Sequence, residues 1–354
     1  MYKNSFKSIF NKLSPLLFMS ILSSTAPVLA AELDLPGYDR FTVQANHRAR
    51  PIEASIWYKA NTKTYKTPIG DNVIFYGKSA YMGAAIAEGK RPLVIISHGS
   101  GGNMDGLAWL SSGLAEAGAI VLAVNHQGSM TGDSSPRRTV LFEERIADVR
   151  AALDKALQDP NFTPAIDSQR ISALGFSLGG TTIMQLAGAN FDRQAYQAYC
   201  ERLPDAQDCT FLRQGGVDFK QLPDSWESNY SEPRISQFIA VEPGFSYGMT
   251  ATSLKAINKP MLLITLGNKN EQWKAADVSE SGSNLINLIP KAEHAVFAPA
   301  HHFTFLPECK PKGEAILREE QDDPVCTDPT GTNRAQIHQQ IITKVSQFLQ
   351  LSKP

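Results

Sequence analysis

Apolar positions along the chain follow two alternating rhythms. Short runs of aliphatic and β-branched residues are separated by stretches in which apolar residues recur every three or four positions. Residues 41–45 (FTVQA) and Ile52–Tyr58 (IEASIWY) alternate with period two, which predicts an antiparallel edge pair. Residues 92–97 (PLVIIS) and 119–124 (AIVLAV) are unbroken apolar runs, as expected of strands buried on both faces. A helix is predicted over 107–117 between them. Leu141, Ile146, Val149, Leu153 and Leu157 mark one face of a second helix. Further strands are predicted at 170–174, 235–241, 261–265 and 295–297, with helices at 181–187 and 337–351. Alternating strands and helices of this kind predict a mainly parallel α/β sheet with helices on both faces.

The segment 190–233 breaks that rhythm. It is polar, contains Tyr196, Tyr199, Phe211 and Trp226, and holds two cysteines. We read it as an inserted cap over a site; a surface excursion without such a role is the alternative. There is no internal repeat and no linker, so 31–354 reads as one domain.

One motif carries chemistry. Gly175-Phe176-Ser177-Leu178-Gly179-Gly180 is a G-x-S-x-G sequence with a predicted strand before it and a predicted helix after it. The bare pattern is weakly specific. In this context it is a tight turn that exposes a serine hydroxyl as nucleophile. Glycines on both sides make room for a strained reversal. Such a serine needs a base, and seven histidines are available. Chain order favours the loop after the last predicted strand, which holds His301 and His302. His302 is preferred, because Phe303 and Phe305 alternate after it and can pack inward to fix its ring. Backbone N–H groups of Leu178 and of Ser100, in His98-Gly99-Ser100-Gly101-Gly102, are the candidate oxyanion donors.

The acid is less clear. Asn270 stands where a carboxylate is expected after the strand at 261–265, and an amide cannot stabilise an imidazolium electrostatically. Glu242 closes the apolar run at 235–241 and is followed by Pro243-Gly244, which puts it at the carboxyl edge of the sheet where sites of open α/β sheets form. We rank Glu242 first, then Glu271, then Asp277.

Composition narrows the class. The formal net charge is −1 and no basic run occurs, so nucleic acid is not an expected partner. The first 30 residues have the form of a secretory leader. Lys3, Lys7 and Lys12 precede the apolar stretch 16–22, and Val28 and Ala30 supply small residues before cleavage. That stretch is shorter than the ~20 residues a spanning helix needs, so no stable membrane anchor is expected. The expected location is outside the cytoplasm, periplasmic or secreted. Four cysteines in an exported chain favour disulfides. Of three possible pairings, Cys200–Cys209 and Cys309–Cys326 are favoured because each closes one local loop. No metal-ligand spacing is present.

Four segments together resemble the predicted dienelactone hydrolase-like family of exported α/β-hydrolases, related to platelet-activating factor acetylhydrolases. They are PLVIISHGSGG at 92–102, GFSLGG at 175–180, AVEPG at 240–244 and HFTFL at 302–306. Asp323-Pro324-Val325-Cys326, Arg334 and His338 are similar as well, so the likeness covers nearly all of the chain after the leader. The resemblance implies an α/β-hydrolase fold, Ser177 as nucleophile, His302 as base and Ser100 with Leu178 as oxyanion donors; it also favours Glu242. Two features depart from the pattern. Dienelactone hydrolases use a cysteine nucleophile, and the aspartate after Thr265 is missing. The expected activity is hydrolysis of small carboxylic esters through an acyl-enzyme, without cofactor or metal, by a monomer or weak oligomer. A peptidase on the same fold and a non-catalytic exported binding protein are the alternatives.

Overall fold

The unbroken apolar runs lie side by side at the centre of one sheet. The computed structural model describes residues 35–351, so the predicted leader at 1–30 lies outside the described residues. The strands are β1 (Gly37–Val43), β2 (Ile52–Tyr58), β3 (Lys66–Ile69), β4 (Lys78–Met82), β5 (Arg91–Ser97), β6 (Ile120–Val124), β7 (Ser129–Met130), β8 (Asp133–Ser134), β9 (Ile166–Phe176), β10 (Gln237–Val241), β11 (Met261–Leu266) and β12 (Ala292–Phe297). Among the described residues, ten of them form a sheet in the order β12-β11-β10-β9-β5-β6-β2-β1-β4-β3. From β12 to β6 all neighbours are parallel. β2 pairs antiparallel with β6 and with β1, as the alternating pattern predicts. β7 and β8 make a separate two-stranded ribbon.

The helices are α1 (Ala108–Glu116), α2 (Pro136–Thr139), α3 (Phe142–Gln158), α4 (Leu178–Leu186), α5 (Arg193–Arg202), α6 (Gln207–Gln214), α7 (Ala251–Ala256), α8 (Leu285–Leu288), α9 (Gly313–Glu320) and α10 (Arg334–Phe348). They cover both faces, and the strand alternation shows it. Leu93 and Ile95 join a core with Ile146, Val149 and Leu153 of α3. Val94 and Ile96 join a second core with Leu110 and Leu114 of α1 and Ile341 and Val345 of α10. Each fully buried side chain of this kind contributes about 2 kcal/mol relative to exposure.

The structure corrects several boundaries. β9 starts at Ile166, four residues before the predicted strand, and its register shifts opposite Pro92 and Leu93. The first strand spans Gly37–Val43 rather than 41–45. β3 and β4 carry too few apolar residues to be seen as strands in the sequence. α4 begins directly after Ser177, three residues earlier than predicted. Its entry is tight: a Cβ added to Gly179 meets the Ser97 carbonyl oxygen at 1.9 Å, and one added to Gly175 meets the Gly179 carbonyl oxygen at 2.1 Å.

Backbone atoms of β5 cannot move aside as a flexible side chain could. Gly179→Ala is therefore expected to destabilise the fold by on the order of 3 kcal/mol, read as a lower urea midpoint with unchanged slope. A midpoint within error of wild type would show that α4 does not press on β5 as closely as stated.

Candidate active site

The carboxyl ends of β5, β9, β10 and β11 meet at one edge, and the loop after β12 turns back over it. Ser177 follows β9 with φ 55° and ψ −119°, a left-handed conformation that costs a non-glycine residue roughly 1–3 kcal/mol. The surrounding backbone holds it there. The Ser177 N–H donates to the Val241 carbonyl (2.9 Å), and its carbonyl accepts from Thr181 (3.1 Å) and Gly244 (3.3 Å).

Its hydroxyl lies 3.1 Å from Nε2 of His302. His302 opens a 3₁₀ turn, His302–Phe305, after β12. Its Nδ1–H donates to Oε2 of Glu242 at 2.7 Å. Glu242 is fully buried and has φ 44°. Its other oxygen accepts from the Leu266 N–H at 2.8 Å. A carboxylate thus faces one ring nitrogen and the serine faces the other, which fixes the imidazole tautomer. Trp273 stacks on the His302 ring (centroids 3.9 Å apart), and the Phe176 ring lies tilted against it at 4.6 Å. Phe305 packs inward against Phe176, whereas Phe303 lines the cavity.

Glu271 and Asp277 have other work. Glu271 accepts from the Asn268 N–H and Asp277 from the Ser279 N–H, each within its own loop. Neither bonds His302; of the three candidates Glu242 alone does. His301 caps the turn that begins with His302, and His338 bonds the Thr304 carbonyl. Trp273 was missed by sequence reasoning; a lone tryptophan in a polar loop carries no signal of stacking.

Leu178 is the first residue of α4, so its N–H has no carbonyl within the helix to receive it. Ser100 stands on the loop after β5, and both residues line the cavity above Ser177. Beneath this loop lies a buried polar layer. Arg145 of α3 donates to Ser97 Oγ (3.0 Å), Ser129 Oγ (2.6 Å), Thr182 Oγ1 (3.0 Å) and the His98 carbonyl. Burial pulls its pKa down to about 9, which leaves it charged at neutral pH. Ser97 Oγ in turn meets His126 Nε2 at 3.0 Å, and His126 Nδ1 meets Asp148 at 3.0 Å. Burial alone would raise the Asp148 carboxyl, but hydrogen bonds from His126 and Arg48 hold it well below its usual range.

The cavity over Ser177 has a volume of about 670 Å³. Phe211 of α6, Phe245 and Trp273 supply apolar wall, and Asp205, Asp208 and Asp323 supply acid. A second cavity of about 1000 Å³ adjoins it across Ser100 and Gly101. The segment 190–233 divides: Phe211 and Gln214 face the cavity, while Tyr196, Tyr199 and Trp226 are core, with Trp226 stacked on Phe142. Disulfides join Cys200 to Cys209 and Cys309 to Cys326, the two local pairings. They suit an oxidising environment. Among the described residues, no helix is long and apolar enough to cross a membrane, and no cluster of three His, Cys, Asp or Glu is arranged to hold a metal ion.

The architecture is that of the α/β-hydrolases. A ferulic acid esterase from Streptomyces cinnamoneus superposes with a TM-score of 0.59 at 16% identity, over 92% of this chain and 93% of that one. An acylaminoacyl peptidase from Pyrococcus horikoshii superposes with a TM-score of 0.50 at 14% identity, over 91% of this chain and 43% of that one. No protein-family model and no curated protein matches the sequence.

Several histidines are buried without charge. Burial lowers His126 and His338 to about 4 and pushes His98 well below its usual value. Unfolded, each takes up a proton near its ordinary value of 6.5, so between pH 6.5 and 4 the unfolded chain binds more protons and stability falls on acidification. Asp208, raised by burial to about 6, opposes this with one group. The net expectation is a loss of roughly 3–4 kcal/mol from pH 6.5 to 5, measured by urea unfolding. A flat profile would contradict neutral histidines in the core.

Proposed function

We propose that the protein is an exported serine hydrolase that cleaves small carboxylic esters through an acyl-enzyme. One observation carries the reading: Ser177 Oγ, His302 and Glu242 lie in a single hydrogen-bonded line at the floor of a cavity. His302 Nε2 takes the Ser177 proton as Oγ attacks the ester carbonyl. Glu242 holds the imidazole in the required tautomer and stabilises the imidazolium that forms. The Leu178 and Ser100 N–H groups receive the oxyanion. His302 then gives the proton to the departing alcohol, and next removes one from water, which releases the acid and restores Ser177.

Esters are favoured over peptides because the ferulic acid esterase matches over 93% of its own chain, whereas the acylaminoacyl peptidase matches over 43% of its own. The wall chemistry adds to this. Among the described residues lining the cavity there are three aspartates besides Glu242 and no lysine or arginine. Asp205 is ion-paired with Lys274 at 2.5 Å, and the remaining acid of the wall, Asp208 and Asp323, supports uncharged or cationic esters over carboxylate-bearing lactones. The segment 190–233 acts as a cap through α6 and Asp205 just before it. Export is supported by the leader pattern and by the two disulfides. The resemblance at 92–102 and 175–180 to exported α/β-hydrolases points the same way, and we take the working form to be a monomer or weak oligomer.

Ser177→Ala should cut turnover of a short p-nitrophenyl ester by at least about 10⁴-fold while the fold persists, and should abolish labelling by a fluorophosphonate. Wild-type protein that neither labels nor turns over any ester or peptide in a mixed panel would leave a binding protein as the better reading. Separately, Glu242→Gln should lower kcat by roughly 10²–10⁴-fold, with Glu271→Gln near wild type. The opposite ranking would move the acid to the loop after β11.

A further inference from the structure

Arg145 is a fully buried guanidinium, and among the described residues no carboxylate pairs with it directly. Its four bonds go to two separate parts of the site. Thr182 belongs to α4, one turn after Leu178, and the Thr182 hydroxyl donates to the Leu178 carbonyl at 3.1 Å. Ser97, His98 and Ser129 surround the loop that carries Ser100. The Ser129 carbonyl accepts from the Gly101 N–H at 2.9 Å. His98 is itself pinned, with Nδ1–H donating to the Gly99 carbonyl (2.7 Å) and Nε2 accepting from the His126 N–H (3.2 Å).

We propose that Arg145 is a positioning residue that sets the distance between the two oxyanion donors, Leu178 N–H on one side and Ser100 N–H on the other. This rests on the hydrolase reading above. The chemistry suits the task. A planar guanidinium offers five donors in a fixed fork, so bonds to both segments fix their separation and angle together. A neutral residue of similar length could tie one segment but not both. Its acceptors are all hydroxyls and a carbonyl; an ion pair would have pulled the group toward one carboxylate. The hydrogens run in one consistent direction: Arg145 to Ser97 Oγ, Ser97 to His126 Nε2, His126 Nδ1 to Asp148. Asp148 is held in turn by Arg48 at 2.6 Å. The layer is therefore rigid without any member touching substrate.

Oxyanion donors act on the transition state and hardly at all on the ground-state ester. The test uses the full mature enzyme with Arg145→Met and Arg145→Lys. Three quantities are read: kcat and KM on p-nitrophenyl acetate, the inhibition constant of a trifluoromethyl ketone that forms a tetrahedral adduct with Ser177, and the urea midpoint. Arg145→Met should lower kcat about 100-fold with KM within about threefold, and weaken the ketone in proportion to kcat/KM. Arg145→Lys should recover part of the loss. Because Arg145→Met removes a buried cation and can fail to fold, Ser129→Ala and Thr182→Val each remove one acceptor and keep the guanidinium. Each should lower kcat severalfold and weaken the ketone in parallel. The proposal falls if the folded variants keep wild-type kcat, if the loss is in KM alone, or if ketone affinity stays constant while kcat drops. A wild-type enzyme without esterase activity or fluorophosphonate labelling would instead overturn the hydrolase reading itself.

Discussion

A single buried carboxylate organises the edge of this sheet. Glu242 has no water-facing surface, yet both its oxygens are satisfied, one by the Leu266 N–H and the other by His302. An ionised carboxylate can be buried only with partners of this kind. The partners come from different places in the chain: the end of β11 and the turn after β12. Parallel register brings them within reach, because Val241, the last residue of β10, pairs with Phe176 of β9 on one side and Ile264 of β11 on the other. Three adjacent strand ends therefore present a serine, an acid and a backbone donor at the same height. The sheet decides where these groups stand, and their spacing would be lost if any one strand slipped by a residue.

Below that row lies a second polar layer, and the two are built on opposite logic. In the upper row Glu242, His302 and Ser177 are few and line the floor of the cavity. In the lower layer Arg145, His126, Asp148 and Arg48 have side chains closed off from solvent and bonded to one another, to buried hydroxyls or to backbone. Partly satisfied networks in a protein interior are costly, and fully satisfied ones fix a single arrangement. Here the lower layer meets the glycine-rich loop from beneath. That loop has few side chains of its own to pack, so its conformation is set by what it is bonded to. The two layers join at Ser97, whose carbonyl lies under Gly179 and whose hydroxyl accepts from Arg145.

The sequence was readable where one local rule determined the outcome. Residues 92–97 and Met261–Leu266 are apolar throughout because helices cover both faces, so their strands were plain. The turn at Ser177 was plain because its glycines are demanded by backbone contact at that spot. Glu242 was a ranked choice: an acid at the end of an apolar run can equally be a solvated strand end, and only the third dimension shows Leu266 and His302 around it. β3 and β4 were invisible because KTPI and KSAYM have neither length nor alternation. The segment 190–233 reads as a cap or a surface excursion, but its Tyr196 and Trp226 are core residues of a cluster with Phe142 and Phe245. Aromatic content in an insertion marks burial first, because each such ring removes more apolar surface from water than any aliphatic side chain.

The cavity walls show why both disulfides lie where they do. The floor is held by the sheet, whereas two walls come from excursions with no strand to anchor them. One is α6, which supplies Phe211 and Gln214; Cys200–Cys209 ties it to α5 across a separation of 9 residues. The other is the loop with Asp323 and Pro324; Cys309–Cys326 closes it across 17 residues, and Cys309 bridges Phe75 beside β4. Closing loops of these lengths restricts the unfolded chain by about 3 kcal/mol each in the chain-entropy account. Stability alone could have been gained anywhere on the surface. Both links instead stiffen the segments that shape the space above Ser177. The sheet thus sets Ser177 and Glu242, Arg145 and its neighbours bond the loop that carries Ser100, and covalent links hold the walls, so that each part of the cavity has a restraint of its own kind.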